Sequence, residues 1–199
     1  MRGLTRREAL LAIASAAAGA AIGVSPVVIE RVTRATREAT VAGGFRPAFF
    51  TPHEWRTVRI LADLVIPADE RSGSATDAGV PEFMDFMLIE RESMQTRMRG
   101  GLRWLDAEGA ERFGAPFADL APEQRAAILD DVAWPARARP EMSQGVAFFS
   151  FFRDLVATGF FSSRMGIEDL GYAGNRALAE WNGCPPEVLR HLGLYARSG

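Results

Sequence analysis

The chain has 199 residues, of which 48% are hydrophobic and 24% charged, the proportions of an ordinary globular domain. Its formal net charge of −2 argues against a nucleic-acid partner, which calls for a strongly basic face. The single cysteine, Cys184, excludes an internal disulfide, and with all 23 basic residues being arginine no lysine-dependent phosphate loop can form.

Paired arginines, Arg6 and Arg7, stand just before an uncharged, Ala- and Gly-rich run from Ala9 to Val28. A charged start followed by an apolar stretch has the pattern of a secretory signal, and a twin-Arg pair marks the Tat branch in bacteria. Residues 1–28 are therefore read as a twin-arginine signal, with the Tat translocon as a partner and the periplasm as the destination. The competing reading is that Thr5–Glu8 caps an ordinary helix. The apolar run is close to the ~20 residues that span a bilayer, but Ala and Gly are weakly hydrophobic. Ala18-Gly19-Ala20 has the form of a cleavage site. Cleavage and retention as a membrane anchor both stay open. Residues 29–50, rich in Arg and Thr as far as Gly43-Gly44, read as a linker or a frayed helix. Residues 51–199 read as one helical domain.

Thr51-Pro52-His53-Glu54 has the form of a capping box with proline at the first helical position. Trp55, Val58, Leu61, Ala62 and Val65 follow at helical spacing, and Pro67 stops the helix. A loop over residues 68–80 precedes Pro81, which opens a helix carrying Phe83, Phe86 and Met87. Gly100-Gly101 is expected to interrupt it, with Leu102, Leu105 and Phe113 on a further helical piece. Pro122-Glu123-Gln124 opens another helix through Val132. Phe148, Phe149, Phe151, Phe152, Leu155 and Val156 mark an apolar helix ending near Gly159. From Phe160 the tail reads as irregular, with a last short helix from Pro185-Pro186-Glu187 to His191. Alternating strand patterns are nearly absent. The expected fold is all-α, an irregular helical bundle with long loops, preceded by a signal helix.

Catalytic and cofactor motifs are missing. There is no Gly-x-Gly-x-x-Gly after a strand, no Cys-x-x-Cys-His and no Glu-x-x-His. With His53, His191 and Cys184 alone, a zinc site is poorly supplied. His53 reads as a surface residue of a first helical turn, and His191 as a partner of a helix C-terminus. Asp69, Glu70 and Asp77 lack the spacing of a calcium loop and read as turn residues. Ser162-Ser163 reads as a turn or helix cap. No catalytic, cofactor-binding or metal-binding residue is assigned. Asp63, Asp69 and Asp85 are the acids available to a small enzyme, and Asp63 and Asp85 lie in apolar surroundings that can raise a pKa.

Several segments together carry a resemblance. They are Leu61-Ala62-Asp63-Leu64-Val65-Ile66-Pro67-Ala68-Asp69, Asp77-Ala78-Gly79-Val80-Pro81-Glu82-Phe83-Met84-Asp85, Gly101-Leu102 and Phe148-Phe149. Thr158-Gly159-Phe160-Phe161-Ser162-Ser163, Gly166 and Leu170-Gly171-Tyr172-x-Gly174-Asn175 follow. Their order and spacing, from about Pro52 to Cys184, resemble the gluconate 2-dehydrogenase subunit 3 family. The resemblance implies a small subunit without flavin or haem. Its partner is a large, GMC-type flavoprotein that carries FAD, oxidises a sugar or sugar acid, and is exported alongside it. A third subunit with c-type haem can take the electrons onward. It also implies that Cys184, in the turn-like Asn182-Gly183-Cys184-Pro185, forms a disulfide to the large subunit, against the alternative of a packed free thiol. Two other readings stand beside this one, a freestanding exported binding module and a small enzyme using the acids named above.

Overall fold

The computed structural model describes residues 23–171, 183–191 and 193. Helices are the only regular elements among them, in agreement with the all-α expectation. In chain order they are α1 (Pro26–Ala42), α2 (Pro52–Val65), α3 (Val80–Glu90), α4 (Gln95–Phe113), α5 (Pro122–Asp130), α6 (Ser143–Ser162), α7 (Arg164–Asp169) and α8 (Pro186–His191).

Helix α6 is the axis of the bundle. It packs against α1, α2, α3, α4 and α7. Its Phe148, Phe151, Phe152, Leu155, Val156 and Phe160 are all buried. Helix α3 is apolar around most of its circumference, as a helix with neighbours on several sides must be, and buries Val80, Phe83, Met84, Met87 and Leu88. Helix α2 begins as its sequence dictates. The amide of Glu54 donates to Thr51 Oγ1 at 3.3 Å, and the amide of Thr51 donates to Glu54 Oε2 at 2.9 Å. Two orphan donors of the first turn are thereby satisfied.

Three expectations are corrected. Gly100-Gly101 does not interrupt a helix, because α4 runs through both residues. The break falls earlier, where Arg91 leaves helical geometry at φ −128° and a short 3₁₀ turn, Glu92–Met94, leads into α4. Gly101 is a packing site: a Cβ built there would lie 1.7 Å from Phe148 Cδ2. The apolar helix does not end near Gly159 but continues to Ser162. Gly159 sits inside it because a Cβ would come within 2.8 Å of the Phe83 ring. The tail beyond Phe160 is not irregular throughout. The Ser163 hydroxyl accepts from the Gly166 amide at 3.1 Å and caps α7, so that serine is the cap its sequence suggested.

The stretch read as a linker or a frayed helix holds a 17-residue helix, α1, which lies across the expected boundary at residue 28. Val24, Val28, Val32 and Thr36 recur every fourth residue and are buried. That stripe packs on α3 and α6. The positive-φ Gly43 then ends the helix.

Candidate functional site

The acids that a small enzyme would use are engaged in holding backbone. Asp85 is only 1% exposed. Its Oδ2 accepts from the amide of Ala48 at 2.8 Å, and its Oδ1 accepts from the amides of Phe49 and Phe50 at 3.0 and 3.1 Å. Asp63 Oδ1 accepts from the Thr76 amide at 2.8 Å. Asp69 closes a turn by accepting from the amides of Arg71 and Ser72, and Asp77 does the same for Ser74. These are the turn roles that the sequence indicated for the loop. His53, in the first turn of α2, lies 2.7 Å from Asp106 on α4. The other Asp106 oxygen accepts from the Phe117 amide, so this pair ties α2, α4 and the following turn together. His191 ends α8.

The segment between α1 and α2 is gripped from a second side. Arg99 Nη1 donates to both oxygens of Glu54 at 2.7 Å, and its Nη2 donates to the Phe49 carbonyl at 2.9 Å. The guanidinium also lies 4.3 Å from the Phe49 ring centroid. Partial burial alone raises the Glu54 carboxyl. Hydrogen bonds from Thr51 and Arg99, with the charge of Arg99, outweigh that and hold it below its ordinary value.

A groove of about 330 Å³ opens elsewhere, between α1 and α7. Thr33, Thr36, Arg37, Thr40 and Val41 form its α1 wall. These positions fall on one helical face. Arg164, Met165 and Glu168 form the facing wall, and Phe83 and Gly159 lie among the lining residues contributed by α3 and α6. Thr36 and Thr40 donate their hydroxyls to the carbonyls of Val32 and Thr36, each at 2.9 Å, whereas Thr33 Oγ1 is buried without a partner. Nearby, Glu82 Oε2 is also buried and unpartnered. Burial pushes the Glu82 carboxyl up, with the charge of Asp85 adding to the effect and that of Arg59 opposing it. Sequence reasoning missed this groove because α1 was read as the end of the signal and a linker or frayed helix, not as a packed element. The four-residue spacing of Val24, Val28, Val32 and Thr36 was the signal that a packed helix stood there.

Cys184 is exposed, just ahead of α8. Arg6 and Arg7 lie outside the described residues. Among the described residues no helix is long and apolar enough to cross a membrane, and no cluster of His, Cys, Asp or Glu is arranged to hold a metal ion.

Comparison with known proteins places these features. The family model described as gluconate 2-dehydrogenase subunit 3 matches residues 52–179. That span runs from the first residue of α2 past the end of α7, and leaves α1 outside it. No curated protein and no solved structure matches the chain. A helical body with its acids committed to backbone, matched over well over half its length, belongs to the gluconate 2-dehydrogenase subunit 3 family, a family of accessory subunits of dehydrogenase complexes.

Proposed function

We propose that this chain is the non-catalytic small subunit of a periplasmic, FAD-dependent, GMC-type dehydrogenase acting on a sugar, sugar acid or glycoside. It stabilises the catalytic flavoprotein and escorts it through Tat export. The family match over residues 52–179, on a chain that opens with Arg6-Arg7 and an uncharged run, carries this reading. The engagement of Asp63, Asp69 and Asp85 with backbone amides supports a non-catalytic role. FAD belongs to the large subunit, and c-type haem to a third subunit where one is present. The complex places the small subunit in the periplasm, at the membrane if the N-terminal segment is retained.

Purification of the tagged, full-length protein from its native host tests the proposal. A large subunit with flavin absorption should co-purify and should oxidise a sugar with a dye acceptor. Replacing Arg6 and Arg7 together by Lys should leave both subunits in the cytoplasm. Normal export of the flavoprotein beside that double variant would overturn the escort role. A colourless single chain would favour the freestanding binding module.

Cys184 is assigned to a disulfide with the large subunit. Its exposure and its place in an exported protein with no second cysteine support the assignment. On a non-reducing gel the two subunits should run as one band that separates on reduction, and Cys184→Ser should abolish that band. Separate migration without reductant would rule the bridge out.

A further inference from the structure

We infer that the groove between α1 and α7 is the seat for a segment of the catalytic subunit, one that lays an apolar side chain between Val41 and Met165 and brings a carboxylate to Arg37. This rests on the accessory-subunit reading above. It adds where the partner binds and with what chemistry.

Three observations carry the inference. The first is apolar exposure. Val41, on the groove wall, is 84% exposed, the highest value among the large hydrophobic residues left at the described surface. Met165, on the facing wall, supplies the apolar contact opposite Val41. A side chain so placed is covered at low cost when a partner arrives, since it has no water-bonding group to lose.

The second is charge. Of the two arginines that line the groove, Arg164 is held by Glu168 at 2.7 Å, and Asp77 is occupied by Ser74. Arg37 has no carboxylate partner among the described residues. Its charge sits one helical turn from Val41, so an apolar anchor flanked by a carboxylate meets both at once. Arginine is one of the residues in which binding energy concentrates at interfaces.

The third is how the groove is kept open. Gly159 leaves the Phe83 ring room, since a Cβ there would lie within 2.8 Å of it. Gly79, at φ +76°, turns the loop beneath α1, and a Cβ there would reach within 3.4 Å of Thr36. The buried Thr33 hydroxyl beside the cavity has no partner. The α1 wall lies outside the family-matched span, and the facing α7 wall lies within it.

The test uses both full-length subunits, co-expressed, with a photo-crosslinking residue at position 41. The expected product joins α1 to the large subunit, identified by its peptides. Arg37→Glu and Val41→Arg should each weaken association about tenfold or more, the loss of roughly 1.4 kcal/mol. Val27→Arg, at a position 71% exposed on the same helix but not lining the groove, is the control and should not. All three positions are on the surface, and an unchanged far-UV circular dichroism spectrum confirms each fold. Crosslinking to a second copy of this chain, a bound small molecule seen by native mass spectrometry, or equal binding by Val41→Arg and Val27→Arg would each overturn the seat while leaving the subunit reading intact. Failure of the wild-type chain to associate with any flavoprotein would overturn both.

Discussion

Replacing Asp85 by alanine should cost about 3–5 kcal/mol of stability, a large share of the 5–15 kcal/mol that holds a typical domain together. The carboxylate is buried and accepts three backbone amides, from Ala48, Phe49 and Phe50. Its removal leaves the amides of Phe49 and Phe50 without acceptors in a place water does not reach, since both residues are buried. Ala48 is exposed, so water can replace the bond it loses. Asp85→Asn separates the contributions. Its amide oxygen can still serve Phe49 and Phe50, while its NH₂ would face the Ala48 donor. The asparagine variant should therefore cost roughly half as much, about 2 kcal/mol. Urea titration followed by far-UV circular dichroism measures both. Equal losses for the two variants would mean that burial of the side chain, not acceptance from the two buried amides, sets the cost. The consequence is more than local. Residues 48–50 join α1 to α2, and Phe50 and Trp55 pack with ring centroids 6.1 Å apart. Loosening this junction loosens the attachment of α1, and with it one wall of the groove.

Much of the bundle was legible because its signals are local. The capping box of α2 uses atoms three residues apart, and prolines near the starts of α2, α3 and α5 act on their own backbone. What was misread depends on distant partners. Gly101 looks like a helix breaker to any local rule, and its reason for being there is Phe148 on another helix. The stripe on α1 is diluted by Arg and Thr, and its meaning appears only when α3 and α6 come to cover it. Asp85 stands in an apolar stretch, and nothing nearby in sequence announces the amides some 35 residues upstream that it holds. The family signature was readable for a related reason. It is an ordered set of such positions, Asp63, Asp85, Gly101 and Gly159 among them, each of which holds a contact of the fold.

The adjacent glycines of α4 should respond to alanine with opposite signs. Gly100 is exposed, and a Cβ there meets nothing within 4 Å. Alanine should stabilise the helix by about 0.5–1 kcal/mol, through its better intrinsic propensity and a less disordered unfolded chain. At Gly101 the same gain is overwhelmed. The new Cβ would overlap Phe148, with Cδ2 at 1.7 Å and Cγ at 2.0 Å, and a buried ring in a packed core has little room to retreat. A net loss of about 3 kcal/mol is expected. The geometry is reciprocal. Three residues on, Trp104 of α4 presses on Gly145 of α6, where a Cβ would lie 2.3 Å from Cη2. As α4 advances from 101 to 104, its contacts on α6 step back from 148 to 145. The two helices therefore run antiparallel and exchange an aromatic side chain for a glycine in each direction. The clash at Gly101 is thus with one identifiable ring. Shortening Phe148 to leucine should make Gly101→Ala markedly less harmful, with a coupling of about 1 kcal/mol or more in a double-mutant cycle. Additive losses in that cycle, or a neutral Gly101→Ala, would show that the helices can part at this crossing without cost. The packing of α6, the axis on which every wall of the groove is set, would then be looser than these contacts require.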